Sequence, residues 1–351
     1  MPRRHLIFLV LLGLPALAQG QRAPQQVTME GLEFSTWNLA GRTRIERATG
    51  DRATVEVTRH GRDADRLRIE QIELRGTPAL VVRYPDDDIA YDGGGAGSTT
   101  VRVNRDGTWG GDGDRWRRGD ETRISRRARG TEAWADVVIR VPATARVAAY
   151  QAVGSVDVSN VTVATVRADV HSASVELSDV RGDVMVDAGS GDTRARNVTG
   201  RLHVDVGSGR TTLQLVRGPR VFVDAGSGDV ELSDVVADEV MIDIGSGGTV
   251  MRGIDARVLR VDSGSGTVHA DVLRTNADID VDTGSGGVEL TLPDGFDARV
   301  EIDTGSGGVE SELPITLGRA DRTSLSGRMG AGSGRLHVDT GSGRVRLRRA
   351  R

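Results

Sequence analysis

The chain has 351 residues, a formal charge of −4, no cysteine, and arginine alone behind its 46 basic residues. Without cysteine there are no disulfides and no thiolate metal sites, and the mild acidity speaks against nucleic acid as a partner. Aromatic residues make up 3% of the chain while glycine numbers 47, so any large core must be built from small aliphatic side chains.

The first residues predict a secretory signal over residues 1–18. Arg3, Arg4 and His5 form a basic start, Leu6 to Leu14 an apolar run, and Ala16-Leu17-Ala18 a small-x-small cleavage site. The apolar run is far shorter than the ~20 residues of a spanning helix. No second such run follows, so the mature chain is expected to carry no transmembrane segment. No cysteine follows either, which excludes a lipoprotein anchor. Loss of Arg3 and Arg4, with no acid lost, takes the formal charge from −4 to −6. Export to the periplasm, or to the cell surface and beyond, is the expected localisation.

Residues 19–145 read as a β-rich capping region. Gly41–Arg47 and Ala53–Val57 predict two strands around a Gly50-Asp51 turn, and Ala79–Val82 and Val137–Val141 predict two more. About 85–130 is rich in Gly, Asp and Arg and predicts a long loop or exposed insertion. Within it Trp116, Arg117 and Arg118 form a candidate contact patch, since Trp flanked by Arg suits an anionic glycan or a protein partner. The plainer alternative is a Trp that tucks onto the first coil. Arg118-Gly119-Asp120 spells an integrin-binding tripeptide, which chance explains in a chain this rich in those residues.

From Arg146 onward a repeat governs the sequence. Asp-x-Gly-Ser-Gly recurs with Asp187, Asp205, Asp224, Asp243, Asp262, Asp282 and Asp303, then Asp339, at spacings of 18, 19, 19, 19, 20, 21 and 36. The long gap is close to two periods and predicts a degenerate or inserted rung around Glu310–Ser333. In one unit, Arg220–Asp224 alternates apolar with other residues, Gly226-Ser227-Gly228 interrupts, Asp229–Leu232 alternates again, and Val235-Val236 follows. Period two predicts strands with one buried face, and the glycines predict corners with φ > 0. Two or three short strands in about 19 residues make one coil. A lone coil buries too little apolar surface to offset its ordering entropy, so coils must stack. The expected architecture for 146–351 is all-β: a right-handed parallel β-helix or solenoid of about ten coils of 18–21 residues. Arg344–Arg351 alternates charged and aliphatic residues and predicts a final strand whose charged face blocks further stacking.

These residues carry a resemblance. The repeated Val-Asp-x-Gly-Ser-Gly-x-Val-x-Leu, preceded by Val138-Ile139-Arg140-Val141-Pro142, resembles a large bacterial family of domains of unknown function that bears an adhesin label. The match spans about Leu39 to Leu347. It implies β-helix-like stacks and brings no catalytic or binding residues with it, and the Arg-rich stretch Asp112–Arg129 departs from its simplest pattern.

Three constellations invite chemistry. The aspartate column stacks like charges one strand spacing apart, at ~1 kcal/mol per neighbour in water, so something must offset it. One reading is a repeated Asx-turn, each carboxylate accepting amide bonds from its own Gly-Ser-Gly corner. The other is Ca²⁺ between coils, which makes Asp187, Asp205, Asp224, Asp243, Asp262, Asp282 and Asp303 candidate metal ligands. The eight repeated corner serines lack a unique base and read as corner residues. His203 and His337 occupy equivalent outward positions too far apart to share a metal. A polysaccharide-processing enzyme would need an acidic cluster that breaks the repeat beside sugar-stacking aromatics. The acids here follow the repeat, so no catalytic residue and no cofactor beyond that calcium is expected. The expected function is a non-catalytic envelope or surface protein whose repetitive face meets a protein or glycan. The alternatives are a self-assembling periplasmic structural module and, third, a polysaccharide-processing β-helix enzyme.

Overall fold

The computed structural model describes residues 23–93, 97–110 and 119–350. The predicted signal peptide and the candidate patch Trp116, Arg117 and Arg118 lie outside the described residues. No helix among the described residues is long and apolar enough to cross a membrane.

The repeat folds as a two-faced β-solenoid. Strand Leu202–Ser208 pairs in parallel with the part of Arg146–Ser190 that precedes it by 18 residues and with the part of Thr211–Ser227 that follows by 19. On the other face Thr193–Thr199 pairs with the start of Thr211–Ser227, and that strand pairs with Val230–Ser246. Inward residues alternate with outward ones throughout; Leu202, Val204 and Val206 are buried and His203 and Asp205 are exposed. Val, Ala, Leu and Ile from successive coils join one core that runs from Met29 to Leu347. The narrow bore leaves room for branched aliphatics and few rings, which is why the composition is poor in aromatics.

Two corner devices turn the chain. The second glycine of the motif has a positive φ at Gly191, Gly209, Gly228 and Gly247, between 127° and 141°. The first glycine does not, which corrects the expectation that both supply φ > 0. It is glycine because neighbouring coils approach too closely for a side chain: a Cβ on Gly207 would lie 2.6 Å from the Gly189 carbonyl oxygen, and one on Gly226 2.7 Å from that of Gly207. The other face bends at a left-handed column: Asn160, Asp179, Asn197, Leu215, Asp234 and Gly253, with φ between 53° and 66°. Asn, Asp and Gly tolerate that conformation; Leu215 is the strained member.

The solenoid begins well before Arg146. Strand Glu33–Arg47 is itself a coil, in parallel register with Arg146–Val158. Thr77–Arg83 and Trp134–Val141 form the coil beyond it. Antiparallel strands then close that end, Thr54–His60 on Trp134–Val141 and Arg68–Leu74 on Thr77–Arg83. The stretch 85–130, read as a long loop or an exposed insertion, is an insertion with its own structure and not a loop: its described residues hold a three-stranded sheet of Asp88–Ala90, Ser98–Val103 and Asp120–Ser125. Its short apolar runs are masked by Gly and Arg in the sequence and become strands by packing on the solenoid.

The far end corrects two further expectations. The stretch after Glu310 supplies an antiparallel hairpin, Thr316–Ala320 with Ser324–Met329, where a degenerate or inserted rung was expected. Ser324–Met329 lies antiparallel on Ala298–Thr304 and closes the stack. The arginine-rich tail does not end the stack. Gly334–Thr340 sits in parallel between Asp278–Thr283 and Ala298–Thr304, and Val345–Arg349 between Val288–Leu292 and Val309–Ser311. The last coil in sequence is therefore the last but one in space.

Candidate functional site

The most regular surface lies outside the strand that carries Val-Asp-x-Gly. Period two puts each motif aspartate between two buried aliphatics and points it outward. The register aligns Asp187, Asp205, Asp224, Asp243, Asp262 and Asp282, then Asp339 and, beyond it, Asp303. The predicted column is thus real, with its last two members exchanged in space. On one side lies a strip of first glycines from Gly189 onward, a floor without side chains. On the other lies an outward column of Met185, His203, Phe222 and Met241, in which His203 meets Phe222 edge-on at 4.8 Å. His203 points out, as expected. The corner serines form a ladder from Ser190 through Ser208 and Ser227 to Ser246.

The Asx-turn expectation fails. None of the carboxylates of Asp205, Asp224, Asp243, Asp262, Asp282, Asp303 and Asp339 accepts a hydrogen bond from its own corner. They stand as exposed or half-exposed groups along the sheet. Burial, and then the flanking aspartates, raise Asp205, Asp243 and Asp282 above the usual carboxylate range. The column therefore faces solvent and does not rest on its own corner amides. Among the described residues no group of three or more carboxylates and histidines gathers as a metal cage; the calcium candidates form a line.

Followed toward the N-terminal end, the same column changes character. Gly189 packs on the His171 carbonyl, which sets Asp169 beneath Asp187. Arg167 bridges the two, 3.0 Å from Asp169 and 3.6 Å from Asp187. The next positions are Tyr150, Trp37 and Val81. Trp37 and Tyr150 stack at 4.1 Å and 5°, Trp109 stands on Tyr150 edge-on, and the Trp37 indole donates to the Trp109 carbonyl at 3.1 Å. The three-stranded insert covers this stretch and forms a second core with Ile89, Tyr91, Val101 and Ile124. At the boundary a groove of about 480 Å³ is lined by Arg102, Trp109, Glu121, His171 and Asp187 among others. Burial lowers the pKa of His171 there, and Arg102 pairs with Glu121 at 2.6 Å. Sequence reasoning missed this groove; the concentration of tryptophan before residue 140 was the signal that could have found it.

Comparison with known proteins adds the following. A family described as Toastrack DUF4097 matches residues 135–348. No curated protein matches. Among solved structures, a candidate adhesin from Bacteroides fragilis is similar at 9% identity and a TM-score of 0.40, covering 94% of this chain and 98% of that one. A candidate cell adhesion protein from Clostridium sporogenes is similar at 10% identity and a TM-score of 0.23, covering 93% and 100%.

Proposed function

The chain belongs to the Toastrack DUF4097 family, and from that premise we propose that it is a non-catalytic exported envelope or surface protein that presents one repetitive solenoid face to a protein or glycan partner. The observation that carries this reading is the change along a single outward column. Where the insert covers the column its residues are Val81, Trp37 and Tyr150; where none of the described residues covers it they are aspartates beside a glycine floor. A surface of this regularity suits a partner that repeats its own contacts along a line. Closure of both ends of the stack by antiparallel strands weighs against the alternative of end-to-end self-assembly.

The test is protease shaving of intact cells with periplasmic fractionation in parallel, read with antibody to residues 19–351. Loss of the protein from intact cells is the expected result. Protection, with release alongside the periplasm, overturns the surface role and transfers the proposal to a structural role inside the envelope.

A further inference from the structure

One outward column changes its charge pattern along the stack. Its register runs Arg220, Glu239, Val258, Asp278, Arg335, Arg299, Arg328. Near its start arginine meets acid. Arg220 lies 2.8 Å from Glu239, and Arg260 approaches the same carboxylate at 2.9 Å. In its last three places arginine meets arginine. Arg335, Arg299 and Arg328 stand directly opposite one another on three adjacent strands, and all three are exposed. Like charges so placed destabilise a sheet. Arginine does not give up its proton in a protein, so the row cannot relieve itself that way.

The acids next to the row are turned to other groups. Asp278 accepts from the Arg335 backbone amide at 3.1 Å. Asp297 accepts from the Gly332 and Ser333 amides and, at 2.7 Å, from the Ser333 hydroxyl. Glu301 lies 3.7 Å from His337. Among the described residues, none of the guanidinium groups of Arg299, Arg328 and Arg335 has an acidic partner. The row borders a groove of about 730 Å³, lined by Arg299, Arg335, Ser326, Gly332 and Ser333 among others. The turn at 330–333 shapes this groove. Gly332 adopts a φ of 81°, and a Cβ there would lie 3.0 Å from Arg328 Cδ and 3.4 Å from Arg299 Cγ. The turn thus packs against the aliphatic stems of both arginines and takes from them freedom that an open strand would leave.

We propose that this row is an anion site that takes phosphate, free or as a monoester. Guanidinium forks match the paired oxygens of such a group. An anion held at Arg299, the middle member, offsets the repulsion on both sides of it. Ser326, on the same strand as Arg328, adds a hydroxyl to the groove. Asp278 bounds the row along the column, and Glu301 bounds it along the strand. The site therefore suits one compact anion and not a long polyanion. It is separate from the aspartate column and opposite to it in sign.

The test is titration of the full chain with inorganic phosphate at neutral pH and low salt, followed by calorimetry and by the arginine Nε–Hε signals. A Kd on the order of 1 mM is expected, and Arg299→Gln should weaken it about tenfold or more. Arg220→Gln removes an equal charge from the same column where Glu239 already answers it, and should change the affinity by no more than about twofold. Methyl phosphate separates the two sources: binding as tight as that of the inorganic ion assigns the site to a monoester, and binding of the inorganic ion alone assigns it to free phosphate. In chloride at low salt, Arg299→Gln should raise Tm by about 1–2 °C by breaking the row, and phosphate should abolish that gain. Undiminished phosphate affinity in Arg299→Gln, or an equal loss in Arg220→Gln, overturns the proposal. So does the absence of binding up to about 50 mM phosphate.

Discussion

One face of the solenoid can be compared with itself. In its covered stretch the outward column reads Val81, Trp37, Tyr150; in its bare stretch it reads Asp187, Asp205, Asp224 and onward. The inward columns beside it are aliphatic in the bare stretch, as at Val184, Val186, Leu202 and Val204, while the covered stretch takes in the buried polar residues Thr36, Asn38 and Gln151, with Asn38 donating to Gln151. The outward residue answers only to its cover, stacking rings beneath a sheet and carboxylates beneath water.

The sharpest way to break this comparison is to move a residue from one stretch to the other. Trp37→Asp places a carboxylate under the insert, against Tyr150 and Trp109. It loses a stacked ring and strands a charge, and should destabilise by at least ~4 kcal/mol in chemical denaturation, with early proteolysis within 97–125. Gly228→Ala should lose roughly 2–4 kcal/mol, because its Cβ would be driven into the Gly209 carbonyl and its φ of 135° suits only glycine. Differential scanning calorimetry would show a large fall in Tm; a shift under 2 °C would mean that the coils are not so closely spaced. On the opposite face Leu215→Asn should stabilise by about 1 kcal/mol, by relieving a left-handed leucine in a column of Asn, Asp and Gly.

The smallest effect is the most diagnostic for the bare stretch. Asp243 is raised above the usual carboxylate range by burial and by Asp224 and Asp262. The folded protein therefore holds that proton more tightly than the unfolded chain. This contribution to stability is fully present below the ordinary value of 3.8 and is lost as pH rises through the raised folded value. Asp243→Asn should thus stabilise by about 0.5–1 kcal/mol at neutral pH and low salt, less as salt screens the column, and by nothing near pH 3. Equal gains at both pH values would show that the flanking charges are not the cause.

The stack, its period and the burial of the alternating Val and Leu of the strands were legible because period-two alternation and the glycine corners recur every 18 to 21 residues. The left-handed column was hidden because Asn197, Leu215 and Asp234 share no residue type, only a backbone position. The groove between insert and solenoid was hidden because its lining comes from Arg102, Trp109, Glu121, His171 and Asp187, brought together from far apart in the chain. The Asx-turn was wrongly expected because an aspartate before Gly-Ser-Gly carries the local signature of such a turn, while the sheet points that side chain away from its corner.

By itself, then, the sequence determined that this chain is a solenoid: local alternation and glycine corners can be satisfied only by coils that stack on their like. It did not determine the order of the last coils. All three candidates, at Asp282, Asp303 and Asp339, carry the same Asp-Thr-Gly-Ser-Gly corner, and any of them fits any neighbour by backbone pairing. Tertiary structure decided between them by the path of the chain: strand Ser324–Met329 takes one edge of Ala298–Thr304, and the reversal at 330–333 then brings Gly334–Thr340 to its other edge, next to Asp278–Thr283.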